Sequence, residues 1–424
     1  MAKERIPILV IGDAVATTGF ARVMHGIFEN LPQGKYDIHH LGINYRGDPH
    51  NYKAKIYPAI PGGSYNIGGI YGISRIAQLL NAIEPKLVFI LNDIWVLPTY
   101  MKELRKFMDR GFKVITYSPI DAQPIEWRWL TDLKDIHRIT VYTGFAKQTL
   151  INSTEAWKNY VEKNDIDEEV VFPPIEVIPH GVDKKLFYPF KSVKDKTGKV
   201  LTSGRVGAKR RVFPNKDDFI NSFVVLNANR NQPRKRIDVT IKGFSLFAKD
   251  KPDNVKLYLH MGVDDIGWNI IHLSERLNID DRLIITSDQA MMPQVSDERL
   301  NEIYNACDVG INTSLGEGWG LVSFEHAATK AAQIVPNHSS QPEIWGDAAG
   351  YMEVDRWMTT ERILTDGGFV SPESVADILQ KFYDDPKYLA EMSEKAYAVT
   401  QKSEYSWKSV AKRFDKLFTE VLNE

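Results

Sequence analysis

The sequence has very little cysteine, since Cys307 is the single one among 424 residues. One cysteine cannot form an internal disulfide, and there is no group of cysteines to bind zinc. No apolar run approaches the roughly 18 residues that a membrane-spanning helix needs, and the apolar run at 6–11 is too short for a secretion signal. These absences exclude a disulfide-rich scaffold and a membrane-spanning protein, and they predict a cytoplasmic protein.

The sequence also lacks an excess of charge of either sign, because 53 Lys and Arg residues oppose 55 Asp and Glu residues. With 25% charged and 43% apolar residues, the composition is that of a folded globular protein and excludes both disorder and a general polycation. Any contact with nucleic acid must therefore come from a local patch. At roughly 150 residues per domain, a chain of this length predicts two domains.

Short apolar runs alternate with helix-length segments along the chain, and this alternation predicts a parallel α/β architecture. The segment 406–422 carries an apolar stripe that includes Trp407 and Phe414, so this predicted helix must dock onto another element. The predicted strands are 6–11, 36–43, 87–91, 113–117, 138–142, 175–178, 222–228, 255–261, 283–286 and 309–312. The predicted helices are 20–30, 72–83, 99–110, 144–153, 237–249, 268–277, 300–306, 321–330 and 406–422.

The alternation stops between residues 187 and 218. This segment contains proline and glycine and a run of basic residues that begins at Lys191 and ends at Arg211, so it is predicted to be a linker or a long loop. We therefore predict a first domain at 1–186 and a second domain at 187–404, with a terminal helix at 405–424.

Residues 313–325, TSLGEGWGLVSFE, contain the most informative motif. A predicted strand ends just before it, its glycines let the backbone turn sharply, and a helix is predicted to begin at Leu321. Unpaired amides at the start of a helix form an anion site. Glu317 in the loop can face a cleft, and Glu325 in the helix can accept hydrogen bonds from a ribose. The alternative is a structural turn with two solvated glutamates.

Residues 227–236, NANRNQPRKR, form a second cluster. They follow the first predicted strand of the second domain, and open α/β sheets bind ligands at the carboxyl ends of their strands. Arg230 and Lys235 can together neutralise a departing diphosphate. The alternative is a solvated basic loop.

Residues 12–21, GDAVATTGFA, connect the first predicted strand to the first predicted helix and place the Gly19 amide next to a ligand site. They do not form the G-x-G-x-x-G fingerprint, so they give no support to a nicotinamide cofactor. His180 follows a buried strand and is predicted to be a hydrogen-bonded structural histidine.

The sequence gives no support to a bound metal ion. Asp165 and Asp167 form the one Asp-x-Asp pair, and they lie in an acidic run that is typical of a solvated loop. Asp264 and Asp265 have the same interpretation. We therefore expect neither a metal ion nor another cofactor.

These segments, in this order, resemble the retaining nucleotide-sugar glycosyltransferases of the GT-B fold, specifically glycosyltransferase family 4 (glycosyl transferases group 1). The resemblance covers nearly the whole chain. It is carried by the paired glutamates Glu317 and Glu325, by Arg230 with Lys235, and by the segments 179–183 and 405–407. It implies an α/β protein of two Rossmann-like domains, each with a doubly wound parallel sheet, that face each other across a cleft.

The resemblance implies that the second domain binds a nucleoside-diphosphate sugar, with a UDP-sugar favoured, and that the first domain binds the acceptor. Arg230 and Lys235 would hold the diphosphate, Glu325 the ribose and Glu317 the hydroxyls of the transferred sugar. Backbone amides would contact the phosphate or sugar at Gly19, Gly320, Leu321 and Val322.

One segment departs from the family. Many members carry a histidine after the fourth strand of the first domain, but residues 116–124, TYSPIDAQP, contain none. Asp121 is the nearest polar substitute and is expected to orient the acceptor hydroxyl or to accept its proton. The alternative is an aspartate in a surface turn.

The sequence therefore predicts a retaining, metal-independent glycosyltransferase. Rival interpretations are a phosphorylase or an epimerase of the same fold, or a catalytically silent protein that binds sugar or nucleic acid. The acceptor stays open between a glycan, a small molecule and a modified DNA base. The family includes viral members that act on such bases, residues 18–22 have some likeness to them, and the basic stretch from Lys191 to Arg211 suits a polyanion.

Overall fold

The computed structural model describes residues 4–16, 18–60, 67–213 and 219–424. Contacts divide the chain into two compact units. The first unit contains Met1–Gly181, Thr360–Thr365 and Ser403–Glu424, and the second contains Val182–Thr359 and Asp366–Lys402. The corresponding domain limits predicted from the sequence are 187 and 405.

The first unit is built on a parallel sheet, to which seven strands of the described residues contribute. These strands are β1 (Ile6–Asp13), β2 (Tyr36–Ile43), β3 (Lys55–Pro58), β4 (Leu87–Leu91), β5 (Lys113–Ser118), β6 (Arg138–Val141) and β7 (Ile175–Val177). Their spatial order is β3-β2-β1-β4-β5-β6-β7. The chain thus winds outward from β1 in both directions, as in the doubly wound Rossmann fold.

Helices cover this sheet and bury its apolar runs. They are α1 (Gly19–Phe28), α2 (Ile67–Ile70), α3 (Ile76–Ile83), α4 (Leu97–Leu104) and α5 (Gly144–Lys163). The whole of β4 is buried, which agrees with a continuous apolar strand between two helical layers. Thr18 and Thr143 begin α1 and α5, since each side chain accepts a hydrogen bond from an amide of the first turn.

The second unit repeats this plan. Its described helices are α6 (Gly204–Val212), α7 (Ile237–Ala248), α8 (Ile270–Arg276), α9 (Asp297–Ala306), α10 (Leu321–Ala327), α11 (Gln341–Trp345), α12 (Pro372–Asp384) and α13 (Pro386–Gln401). Its described strands are β8 (Val193–Lys194), β9 (Val200–Thr202), β10 (Phe223–Asn227), β11 (Val255–Leu259), β12 (Leu283–Ile285), β13 (Val309–Ile311), β14 (Ala332–Pro336), β15 (Gly350–Met352), β16 (Val354–Thr359) and β17 (Asp366–Val370). The main sheet is parallel and has the order β12-β11-β10-β13-β14-β15. Two antiparallel hairpins, β8–β9 and β16–β17, stand apart from it.

The last helix, α14 (Trp407–Asn423), belongs to the first unit. Its apolar stripe lies against the sheet, where the Phe414 ring is 5.5 Å from that of Phe89. Trp407 needs the absence of a side chain opposite it, because a Cβ at Gly26 would lie 2.3 Å from its indole ring. The stripe predicted at 406–422 is therefore the buried face of this helix.

The prediction of a loop between 187 and 218 is wrong over much of its length. The β8–β9 hairpin and α6 lie there, and the Ser203 side chain caps α6 by accepting a hydrogen bond from the Val206 amide. Lys209 is buried in α6, where its Nζ lies 2.9 Å from Asp308 Oδ2. The basic stretch is thus partly an internal structural element.

Candidate functional site

The winding of the second sheet reverses between β10 and β13, which lie side by side. In open α/β sheets, ligands bind beyond the carboxyl ends of the strands at such a point. The chain leaves β10 at Asn227 and β13 at Ile311, so the segments 228–236 and 312–320 meet at this edge. The structure therefore brings the two motifs of the second unit together.

Glu317 and Lys235 form an ion pair at this edge, although 82 positions separate them in the sequence. Both side chains are buried, with exposed fractions of 10% and 9%. Asn312 Nδ2 and Ser314 Oγ donate to the same carboxylate at 3.1 and 3.3 Å. One ammonium group and two neutral donors thus hold Glu317.

Glu317 is ionised in this environment. Its burial opposes ionisation, but the charges of Lys235 and Arg234 and the hydrogen bonds outweigh burial and lower the pKa of Glu317 to about 2. The carboxylate can therefore accept hydrogen bonds from a ligand, and it cannot serve as a general acid near neutral pH.

Arg230 lies at the same edge and binds Asp265. Its Nε and Nη2 donate to the two carboxylate oxygens at 2.6 and 3.1 Å, and this contact raises the pKa of Arg230. The Asp265 side chain is 1% exposed, whereas that of Arg230 is 46% exposed. The prediction that Asp265 is solvated is wrong, because its carboxylate anchors the guanidinium group in a fixed orientation.

Three residues of this site were missed in the sequence. Arg234 is exposed, donates to the Gly316 carbonyl at 3.3 Å and acts on the pKa of Glu317. Its position beside Lys235 was the available signal. Asn312 and Ser314 reach Glu317 only because the loop folds back, and their spacing from Glu317 gives no sign of this.

Gly320 provides the turn of the loop. Its φ of +88° lies in the left-handed region, and α10 begins at the next residue, as predicted. A Cβ at this position would also lie 3.3 Å from Glu317 Cγ. Neither Gly316 nor Gly318, both of them within the described chain, has a positive φ, so only one of the three glycines is required by backbone conformation.

The loop after β14 and the start of α11 support the carbonyl side of the Glu317 loop. Ser340 Oγ donates to the Glu317 carbonyl oxygen, and Gln341 Nε2 donates to the Trp319 carbonyl oxygen at 3.1 Å. Both Ser340 and Gln341 are fully buried. The motif loop is therefore held from β10, β13 and β14 at once.

Glu325 lies inside α10 and is 5% exposed. The alternative in which both glutamates are solvated is therefore wrong. Leu321 and Val322 form the first turn of this seven-residue helix at the same edge. Their contact with a ligand, like that of Gly320, stays a prediction.

The first unit carries its own polar cluster where β1 ends. Asp13 is 7% exposed and accepts hydrogen bonds from Thr18 Oγ1 at 2.6 Å and from Asn44 Nδ2 at 3.1 Å. Burial raises the pKa of Asp13. Gly19 begins α1 directly after Thr18. This residue, which is predicted to bind the nucleotide sugar, therefore belongs to the first unit, whereas the other residues predicted to bind it belong to the second.

Asp121 also belongs to the first unit and follows β5. The register of β4, β5 and β6 places Asp93, Asp121 and Tyr142 just beyond the ends of three neighbouring strands. Burial, aided by the charges of both aspartates, raises the pKa of the Tyr142 hydroxyl. Asp121 is therefore part of a polar cluster at the sheet edge.

His180 is the structural histidine that the sequence predicts. It is 3% exposed and shares a hydrogen bond of 2.9 Å between its Nδ1 and Tyr117 Oη. Burial lowers the pKa of His180 to about 3, so the ring is neutral.

Two further properties concern the described residues. No three of their His, Cys, Asp or Glu side chains are grouped so that they could hold a metal ion. In the same part of the chain, no helix combines the length and apolar character needed to cross a membrane.

Comparisons with known proteins show what the chain is similar to. Residues 209–399 match the family model of the glycosyl transferases group 1. Over 213 residues, 49% of its length, the chain is 27% identical to the serotype-specific mannosyltransferase WbdA of Escherichia coli. The chain spans about a fifth of that protein, 22% of its length.

Solved structures extend the likeness to nearly the whole chain. The sucrose-phosphate synthase of Thermosynechococcus elongatus superimposes with a TM-score of 0.67 at 14% identity, covering 99% of this chain and 100% of that one. HepE of Anabaena, in complex with UDP and glucose, gives 0.66 at 14% identity and covers 98% and 100%. The chain has the GT-B fold, as predicted, and the match to the glycosyl transferases group 1 model lies in its second half.

Proposed function

We propose that the protein transfers a sugar from a nucleoside-diphosphate sugar to a hydroxyl group of an acceptor. The observation that carries this proposal is the buried Lys235–Glu317 pair at the winding reversal of the group 1 domain. Arg230 and Arg234 add two exposed cations at the same edge. A cluster of fixed cations around a buried carboxylate suits a ligand with a diphosphate at one end and hydroxyls at the other.

The reaction breaks the bond between the anomeric carbon and the diphosphate oxygen and forms a bond from the same carbon to the acceptor oxygen. Negative charge grows on the leaving diphosphate, and Lys235 and Arg230 stabilise it because they are already in place. The proton of the acceptor hydroxyl passes to the leaving diphosphate. With these cations present, the proposed reaction needs no divalent metal ion.

Glu317 and Glu325 orient the donor in this proposal. Glu317, ionised and buried, accepts hydrogen bonds from the transferred sugar, and Glu325 accepts them from the ribose. The amides of Gly320, Leu321 and Val322 contact the phosphate or the sugar. We further propose that the leaving group and the acceptor share one face of the sugar, so that the anomeric configuration is retained.

A UDP-sugar is the donor that we propose first. The HepE structure holds UDP and glucose and shares the fold, which supports this class of donor. The E. coli relative is named as a mannosyltransferase, so GDP-mannose belongs in the same screen.

DNA that carries a modified base is one of the acceptors predicted from the sequence, and we keep it as a candidate. The observation that favours it is the β8–β9 hairpin, which exposes Lys194 and Lys199 beside Lys191 and Lys196. Lys209, in contrast, is held internally by Asp308. DNA binding through the hairpin must weaken steeply as salt rises, because each neutralised phosphate releases counterions. A lack of any DNA binding at low salt would exclude this acceptor.

The function is tested without knowledge of the acceptor, because a glycosyltransferase also transfers sugar slowly to water. The full chain is incubated with UDP-glucose, UDP-galactose, UDP-N-acetylglucosamine and GDP-mannose, and release of the nucleoside diphosphate is measured. We expect release from one of these donors and its loss in Glu317→Gln. NMR of the freed sugar gives the anomeric configuration. Release of sugar 1-phosphate from an added oligosaccharide in the presence of phosphate would identify a phosphorylase instead.

A further inference from the structure

The β16–β17 hairpin exposes a tryptophan close to the proposed donor site. Trp357 is 56% exposed, which is a large value because tryptophan side chains are highly buried on average. Its strand pairs with β17 so that Trp357 lies opposite Gly368, which has no side chain to cover the ring. Thr359 Oγ1 donates to Asp366 Oδ1 at 2.7 Å and helps to hold the two strands together.

This hairpin is fastened to the loop that carries Glu317. The Gly368 amide donates to the Leu315 carbonyl at 2.9 Å. A Cβ at Gly367 would lie 2.8 Å from Leu315 Cβ, and one at Gly368 would lie 2.5 Å from the His338 ring. Two glycines thus let β17 lie directly against the motif loop and the loop after β14.

The indole ring contacts a neighbouring ring and is otherwise more than half exposed. The rings of Trp357 and His338 meet edge to face with centroids 5.9 Å apart. His338 stands two residues before Ser340, whose hydroxyl binds the Glu317 carbonyl. The exposed ring is therefore connected to Glu317 through a short chain of packed groups, all in the second unit.

The hairpin itself carries more carboxylates than cations, which disfavours a phosphate-bearing ligand on it. Residues 353–366 contain four carboxylates against two arginines. Arg356 is paired with its neighbour Asp355, at 2.7 Å between Nη2 and Oδ2. A polyanion would be repelled here, whereas an uncharged ligand would not.

We propose that Trp357 is a binding surface on which a ring of a neutral carbohydrate acceptor stacks beside the donor site. The C–H groups on one face of a pyranose ring form a flat apolar surface, which suits the electron-rich face of an indole. This inference rests on the proposed sugar transfer, because the bound carbohydrate is an acceptor only if the protein transfers a sugar to it. The binding itself can be measured without any turnover.

The test compares Trp357→Ala and Trp357→Phe with Met358→Ala, a control on the next position of the same strand. Each full-length variant is titrated with an α-linked mannotetraose, with maltotetraose and with a single-stranded oligodeoxythymidylate. Calorimetry gives the affinity of each variant, and intrinsic fluorescence is recorded beside it. Because the chain has nine tryptophans, the difference between wild type and Trp357→Phe isolates the signal of Trp357. The melting temperature of each variant shows whether it is folded.

We expect a neutral oligosaccharide to change the fluorescence of the wild type and of Met358→Ala. Trp357→Ala should bind it about tenfold more weakly, and Trp357→Phe should retain most of the affinity. Equal affinity in folded Trp357→Ala, or no binding of either oligosaccharide, overturns the inference. Binding of the oligodeoxythymidylate that depends on Trp357 overturns it in favour of nucleic acid. Absence of nucleoside diphosphate release with unchanged oligosaccharide binding would count against the proposed function alone.

Discussion

Lys235 has two tasks in the proposed site, because its ammonium group neutralises buried Glu317 and also binds the donor diphosphate. Removing one partner of a buried ion pair leaves the other charge uncompensated, which commonly costs about 3–5 kcal/mol of stability. A loss of activity in a Lys235 variant therefore has two causes. They can be separated only if the charge of Glu317 is removed as well.

We expect Lys235→Ala to lower the melting temperature, and Lys235→Ala/Glu317→Gln to regain most of it, since the double variant has no unpaired buried charge. Both should bind UDP more weakly by about 2 kcal/mol, because a charge-assisted contact to the diphosphate is lost. Calorimetric titration with UDP measures this. Lys242→Ala, which removes a half-exposed lysine of α7, is the control with wild-type affinity. Wild-type affinity for UDP in the folded double variant would show that Lys235 does not bind the diphosphate.

At the scale of the element, α6 shows that a basic run can be structural. Lys209 is 4% exposed and donates to the Ser222 carbonyl as well as to Asp308. Arg210, the next residue, is exposed. Two neighbouring cations of the same helix therefore differ in environment, which makes them a matched pair for an experiment.

We expect Lys209→Met to destabilise the protein by about 2 kcal/mol or more, because the Asp308 carboxylate loses its buried partner. Arg210→Met should change stability by less than about 0.5 kcal/mol, as is usual for an exposed site. Urea unfolding of the two variants measures the difference. Equal midpoints would show that the Lys209–Asp308 pair contributes nothing to stability.

The strands were more predictable than the polar elements. The bounds 87–91 agree with β4 because a continuous apolar run that is buried on both faces leaves a strong signal. The bounds 36–43 also agree with β2, although this strand contains polar residues among its apolar ones. Helix α6 was missed because its buried face consists of Gly204, Ala208, Lys209 and Val212, small or basic residues that resemble a loop in composition. Strand β3 was missed because its residues are only partly buried.

The sequence predicts which residues form the site, but it does not predict which of them contact each other. The spacing of Glu317 and Glu325 and the position of Arg230 and Lys235 after a strand could be seen in the sequence. That Lys235 binds Glu317, or that Asp265 orients Arg230, depends on which strands are neighbours. Residues 82 and 35 positions apart carry no local sign of such contact.

At the scale of the whole molecule, the proposed chemistry depends on fixed cations and not on a divalent ion. We expect sugar transfer to persist in excess EDTA, because Lys235 and Arg230 stabilise the leaving diphosphate. The measurement is nucleoside diphosphate release with EDTA, with magnesium and with manganese. If activity disappeared in EDTA and returned with either metal, the assignment of charge stabilisation to these two residues would be incomplete.

Four buried histidines predict how the stability of the whole molecule depends on pH. Burial is the main cause that lowers the pKa of His40, His180 and His326 to about 3 and that of His260 to about 4. The first two lie in the first unit and the other two in the second. In the unfolded chain each pKa returns to about 6.5. Between these values the unfolded state binds more protons, so stability falls as pH falls.

We therefore expect the melting temperature to drop between pH 7 and pH 5, with roughly 2 kcal/mol lost at pH 5 for each buried histidine. Glu317 does not account for this drop, because its pKa is about 2 in the fold and its contribution is lost only below about pH 4.5. His260→Gln should be less stable at pH 7 but show a smaller drop, since glutamine does not titrate. His272→Gln changes an exposed histidine and should leave the drop unchanged. A wild-type melting temperature that is constant from pH 7 to pH 5 would contradict the linkage.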